Sequence, residues 1–96
     1  MKLIQKGMAG TMESSDIMIS IEPKENGGIT LDLTSSVMQQ FGREIEAVIR
    51  ETLADLGVEN AAVSAADKGA LDCTVKARTR CAAYRAADSD DYKWEV

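Results

Sequence analysis

An α+β two-layer architecture, a mostly antiparallel β-sheet covered by one long helix in the order β-β-β-α-β-β, is the fold class that this sequence predicts. Three observations predict it. Ile17, Ile19 and Ile21, and again Ile29, Leu31 and Leu33, alternate with other residues at period two, the pattern of strands buried on one face. From Val37 to Leu56 the apolar residues instead recur every three or four positions, as on one face of a helix. A further period-two run, Cys73, Val75, Ala77, Thr79, Cys81 and Ala83, follows. A sheet with one apolar face and a helix with one apolar stripe bury each other.

Residues 3–11 read as a weak first strand carrying Leu3, Ile4 and Met8, with Gly7 and Gly10 weakening it or marking bulges. Glu13-Ser14-Ser15-Asp16 is a polar break of the kind that forms a turn. The second strand spans 16–22, a loop of turn formers occupies 23–28, and the third strand spans 29–34. Ser36 followed by Gln39 matches a capping box, in which each side chain satisfies an otherwise orphan backbone N–H. Val37, Phe41, Ile45, Val48, Ile49, Thr52, Leu53 and Leu56 then form one stripe along about 30 Å of helix. Gly57 suits the left-handed conformation that ends helices. Arg43, Glu44, Glu46, Arg50 and Glu51 lie opposite the stripe as a solvated face.

Beyond the helix, residues 58–65 read as a short strand and Asp67-Lys68-Gly69-Ala70 as a turn. The final strand is placed over 73–83. Its alanines would also suit a helix, and the period-two alternation decides for a strand. On that strand Cys73 and Cys81 share a face about 26 Å apart, far beyond disulfide reach. Both are expected to be small buried hydrophobes in a reducing compartment.

The chain of 96 residues is expected to form a single domain over 1–96, burying roughly two-thirds of its unfolded surface. No apolar run approaches the ~20 residues that span a bilayer, and the first residues are too polar for a signal peptide. The expected location is the cytoplasm, without membrane association. The net charge of −5 repels phosphate backbones, which argues against nucleic acid as a partner. Lys76, Arg78, Arg80 and Arg85 form a local basic cluster, read most simply as solvated strand side chains. The polar tail over 88–96 carries Asp88, Asp90, Asp91 and Glu95 and is expected to be disordered when the chain stands alone. Tyr84, Tyr92 and Trp94 are candidates for covering the sheet edge or meeting a partner.

The chain has no histidine. The side chain best matched to proton transfer near neutral pH is absent, and no Ser–His–Asp or Cys–His arrangement can be assembled. Two cysteines without histidine also fall short of a four-ligand zinc site. No catalytic residue and no metal ligand is assigned, which argues against a free-standing enzyme. Asp67, Lys68 and Asp72 are read as fixing a hairpin. By physics alone Ser14 is an ordinary turn serine, although its turn is exposed and open to a modifying enzyme.

The segment Ala9-Gly10-Thr11-Met12-Glu13-Ser14-Ser15-Asp16-Ile17-Met18-Ile19 resembles the region around the modified serine of citrate lyase acyl carrier proteins, close to AGTLESxDxMI. Asp67-Lys68-Gly69-Ala70-Leu71-Asp72-Cys73 is similar to that family's DKGALDC run. Ser35-Ser36-Val37 with Gln40-Phe41-Gly42, and the closing Trp94-Glu95, match in order and spacing. Ser15 stands where glycine is common in the better-known members. The resemblance implies a non-catalytic carrier subunit, and a phosphoprotein. Its phosphoribosyl-dephospho-CoA prosthetic group is joined by a phosphodiester to the serine that Ser14 matches.

By the same resemblance, the thiol of this phosphopantetheine-type arm carries acetyl and citryl thioesters. Its partners are the transferase (alpha) and lyase (beta) subunits of citrate lyase, which cleave citrate to oxaloacetate and acetate in citrate fermentation. A prosthetic-group transferase attaches the arm, and any magnesium belongs to the lyase partner. The alternative is a non-catalytic interaction or regulatory domain without a covalent cofactor.

Overall fold

The structure is a computed structural model that describes residues 1–88. Its elements run β1 (Gly7–Ala9), β2 (Ile17–Pro23), β3 (Ile29–Ser35), α1 (Met38–Asp55), β4 (Ala61–Asp67) and α2 (Asp72–Ala86). The four strands form one sheet in the order β1-β2-β4-β3. β2 pairs antiparallel with β1 and with β4, while β3 joins β4 in parallel across the α1 connection. Both helices pack on the same side of the sheet and against each other, α2 over β1 and β2 and α1 beside β3.

Period two on the strands decides which side is covered. Ile17, Ile19 and Ile21 are fully buried, and Ala61, Val63 and Ala65 of β4 lie on the same face. Ile45, Ile49 and Leu53 of α1 are buried against this layer, as the helical stripe predicts. Phe41 departs from the stripe: it lies beyond the sheet's cover and is about half exposed, at 47%. The α+β two-layer class is borne out, with two helices in place of one.

The final element is the correction. Residues 73–83 belong to the helix α2 and not to a fifth strand. The buried positions Val75, Thr79, Ala82, Ala83 and Ala86 recur at helical spacing, whereas the alternation that suggested a strand came from the interleaved Lys76, Arg78 and Arg80. Five alanines between Ala77 and Ala87 favour the helix, since alanine loses no side-chain entropy there. Cys73 is exposed and Cys81 half-buried, both as free thiols, so Cys73 is not the buried hydrophobe expected. Tyr84 is buried on α2, while Tyr92 and Trp94 lie outside the described residues, as does most of the tail over 88–96.

Two other expectations shift for a physical reason. The first strand shrinks from 3–11 to three residues, because the Ile4 and Gln5 N–H groups donate to the Ala86 carbonyl at 2.9 and 3.1 Å. They cap the carbonyl end of α2 in place of pairing with β2. The capping box at Ser36 does not form: Val37 is the N-cap residue of α1 and no side chain caps it. The hydroxyl of Ser35 instead accepts the Val37 N–H at 3.1 Å.

The small residues of α2 let it lie against the backbone of β1. A methyl group at Gly7 would collide with the carbonyl oxygen of Ala82 and the backbone nitrogen of Ala86. Neither backbone atom can turn aside as a flexible side chain would. Gly7→Ala is therefore expected to cost about 1–3 kcal/mol, the range for overpacking. Urea unfolding should show a lower midpoint with an unchanged slope, and a midpoint equal to that of the unsubstituted chain would contradict this packing.

Candidate functional site

Three strand ends meet at Asp67. It closes β4, pairs with Ile17 at the start of β2 and pairs with Ser35 at the end of β3. Its side chain is buried, which costs heavily for a carboxylate unless donors surround it. Three do: the Ser35 hydroxyl at 2.7 Å and the Gly69 and Ala70 N–H groups, each at 3.0 Å. Its backbone carbonyl also accepts the Ser36 N–H at 3.2 Å. One residue thus fastens the end of β3, the lead into α1 and the turn into α2. Asp67 fixes a turn as the sequence suggests, although the turn joins a strand to a helix. Asp72 lies exposed in the first turn of α2, where an acid favours the helix dipole.

The β2–β4 ladder runs past Asp67 into the polar turn. The Lys68 N–H donates to the Asp16 carbonyl at 2.9 Å, and the Ser15 N–H donates to the Lys68 carbonyl at 2.8 Å. The Asp16 N–H closes the turn on the Glu13 carbonyl at 3.2 Å. Ser15 takes the left-handed conformation with φ of 66°, which costs a non-glycine residue roughly 1–2 kcal/mol.

The Asp16 carboxylate locks the turn from below. Arg78, projecting from α2, donates through Nε and Nη2 at 3.0 and 2.9 Å, a two-pronged match to the carboxylate oxygens. The Thr11 hydroxyl donates at 2.7 Å and the Ile17 N–H at 2.7 Å. The same Thr11 oxygen accepts the Glu13 N–H at 3.2 Å, tying both ends of the loop together. The Arg78 bonds first, then those of Thr11 and Ile17, hold the Asp16 carboxyl below its ordinary value of 3.8, at about 2.

Above this fixed base stands Ser14. Its side chain is exposed, and neither its hydroxyl nor its backbone makes a hydrogen bond to another described residue. The structure places Ser14 on a turn between β1 and β2, where the sequence puts it. Sequence reasoning missed Arg78 and the roles of Thr11 and Asp16 beneath the turn. Period two groups Arg78 with solvated strand residues, and the buried helical spacing of Val75, Thr79 and Ala82 was the available sign that it sits on a helix facing β2.

The chain is similar to known proteins over most of its length. The ACP family model, described as malonate decarboxylase delta subunit (MdcD), matches residues 4–86. The citrate lyase acyl carrier protein of Fusobacterium nucleatum is 57% identical over 88 residues, covering 92% of this chain and 94% of that one. Citrate lyase acyl carrier protein 2 of Salmonella typhimurium is 56% identical over 100% of this chain and 99% of its own length. The chain belongs to the citrate lyase acyl carrier protein family. Among solved structures, a Pseudomonas malonate decarboxylase hetero-tetramer in complex with malonate contains a chain that matches with a TM-score of 0.69. That match covers 90% of this chain and 92% of the other at 17% identity, a likeness of fold.

The positive φ at Ser15 is one that glycine adopts without steric cost. Among the described residues there is no group of three or more potential metal ligands and no helix long and apolar enough to cross a membrane.

The Asp16 lock has a pH signature. A carboxyl whose pKa is lower in the folded chain contributes stability that is complete above the unfolded value of 3.8 and is lost as pH falls through about 2. Stability should therefore rise with pH between about 2 and 4, and Arg78→Gln should flatten part of that rise and move acid unfolding to higher pH. Melting followed by circular dichroism over this range reads both effects, and superimposable acid transitions for the two proteins would contradict the lock.

Proposed function

We propose that this chain is the acyl carrier subunit of a citrate lyase complex and bears a covalent phosphoribosyl-dephospho-CoA on Ser14 through a phosphodiester. The observation that carries the reading is the contrast at the turn: the backbone beneath Ser14 is tied at Ser15, Asp16 and Lys68, while the Ser14 hydroxyl is exposed and unengaged. A bond made at that oxygen breaks no contact of the fold. The residues present fit an anionic phosphodiester, because Arg78 and Thr11 already occupy the carboxylate of neighbouring Asp16.

Once attached, the arm supplies a thiol that carries acetyl and citryl groups as thioesters during cleavage of citrate to oxaloacetate and acetate. The chain's own residues hold the attachment point at a fixed place on a rigid sheet. Tethering then keeps the thioester at an effective concentration of order mM for the partner active sites. The chain needs no base for this task, and it has no histidine to act as one near neutral pH. The chemistry falls to the partners, a transferase subunit, a lyase subunit and the prosthetic-group transferase that loads the arm, in the cytoplasm.

Ser14→Ala should abolish the mass added by the prosthetic-group transferase and leave thermal unfolding unchanged, whereas Ser15→Ala should still be loaded. Loading retained by Ser14→Ala, read by intact mass, would refute the assignment.

A further inference from the structure

Seven large apolar residues are exposed among the described positions, and four of them, Met12, Met38, Phe41 and Leu71, lie at the end of the molecule that carries Ser14. The topology brings them there. Met12 is two residues from Ser14, Met38 opens α1 directly beyond β3, and Leu71 leads into α2 just after β4. Phe41 and Leu71 line a common groove of about 530 Å³ with Val37 and Ile45. The groove's other wall includes Gly69, next to the Lys68 carbonyl that holds the Ser15 N–H. Leu71 is 71% exposed, and no contact of the fold accounts for so large an apolar side chain in water.

We infer that this apolar collar is the surface on which the enzyme that attaches the arm docks, an inference that rests on Ser14 being the attachment site. Any enzyme that forms a bond at Ser14 Oγ must cover the surface around that turn, so the collar is continuous with the modification site. Charge states the partner's chemistry further. Glu44 and Asp72 line the groove, and Glu13 flanks Ser14. The complementary surface is an apolar patch rimmed by Lys or Arg, with the apolar anchors supplying most of the affinity and the rim charges the orientation. The other three lie elsewhere: Met8 is on β1, Ile4 donates its N–H at the carbonyl end of α2, and the Met1 amino group donates to the Gly57 carbonyl beyond α1.

The test is steady-state loading of the purified full chain by the purified prosthetic-group transferase, followed by intact mass. Phe41→Ser, Leu71→Ser, the double variant and a control, Ile4→Ser, are compared. The double variant should raise KM for the carrier at least about tenfold with kcat changed less than about twofold, while Ile4→Ser leaves both unchanged. Thermal unfolding of the variants should match the original, since both replaced side chains are exposed. A KM unchanged by the double replacement, in protein that loads normally, would overturn the docking surface alone. The docking surface also falls if the double variant only dissolves a dimer, or if only the loaded arm perturbs the Phe41 ring resonances. A wild-type chain that takes up no mass would overturn the carrier reading, and this inference with it.

Discussion

The end of the molecule that bears Ser14 depends on the pairing of β2 with β4 and on its termination at Asp67. That ladder is the centre of the sheet, with β1 and β3 as its flanks. It fixes Ile17 opposite Asp67, and from there the bonds between Asp16, Lys68 and Ser15 extend it into the turn. The buried Asp67 carboxylate draws Ser35, Gly69 and Ala70 to the same point. Without those three donors the charge could not remain buried, and the ends of β3 and β4 would lose their common anchor. The position of Ser14 is thus set by the sheet core and not by the loop alone.

α2 adds the second fastening. As a helix it lays small side chains on β1 and β2 and carries Arg78 to the Asp16 carboxylate, which is 62 residues away in sequence. The arginine is partly exposed, so its ion pair adds little to global stability. Its two-pronged geometry restricts the orientation of Asp16, and with it the direction of the turn. These bonds hold the backbone on both sides of Ser14 in a fixed place.

Much of this was legible in the residues. The isoleucines of β2 and the stripe from Ile45 to Leu53 announced the two layers because burial on one side imposes strict periodicity. The turn at Ser14 was legible from its polar composition, and the family resemblance from spaced motifs. What failed was α2. Beside Val75 and Tyr84 its buried face is made of Thr79 and alanines, so its hydrophobic contrast is weak, and the charged residues at 76, 78 and 80 created a false alternation. The misreading hid Arg78, because a lock between residues distant in sequence shows only once the topology brings them together. Ser36 misled for a related reason: Asp67 takes its backbone N–H, and the Ser35 hydroxyl serves the start of the helix.

The central claim is that Ser14 carries the covalent arm. Intact-mass spectrometry of the chain purified from its native host during growth on citrate, with peptide mapping, tests it most directly. The account predicts an added mass equal to the phosphoribosyl-dephospho-CoA group, confined to the peptide that contains Ser14. An unmodified chain from such cells would contradict it and leave a domain that acts by interaction alone.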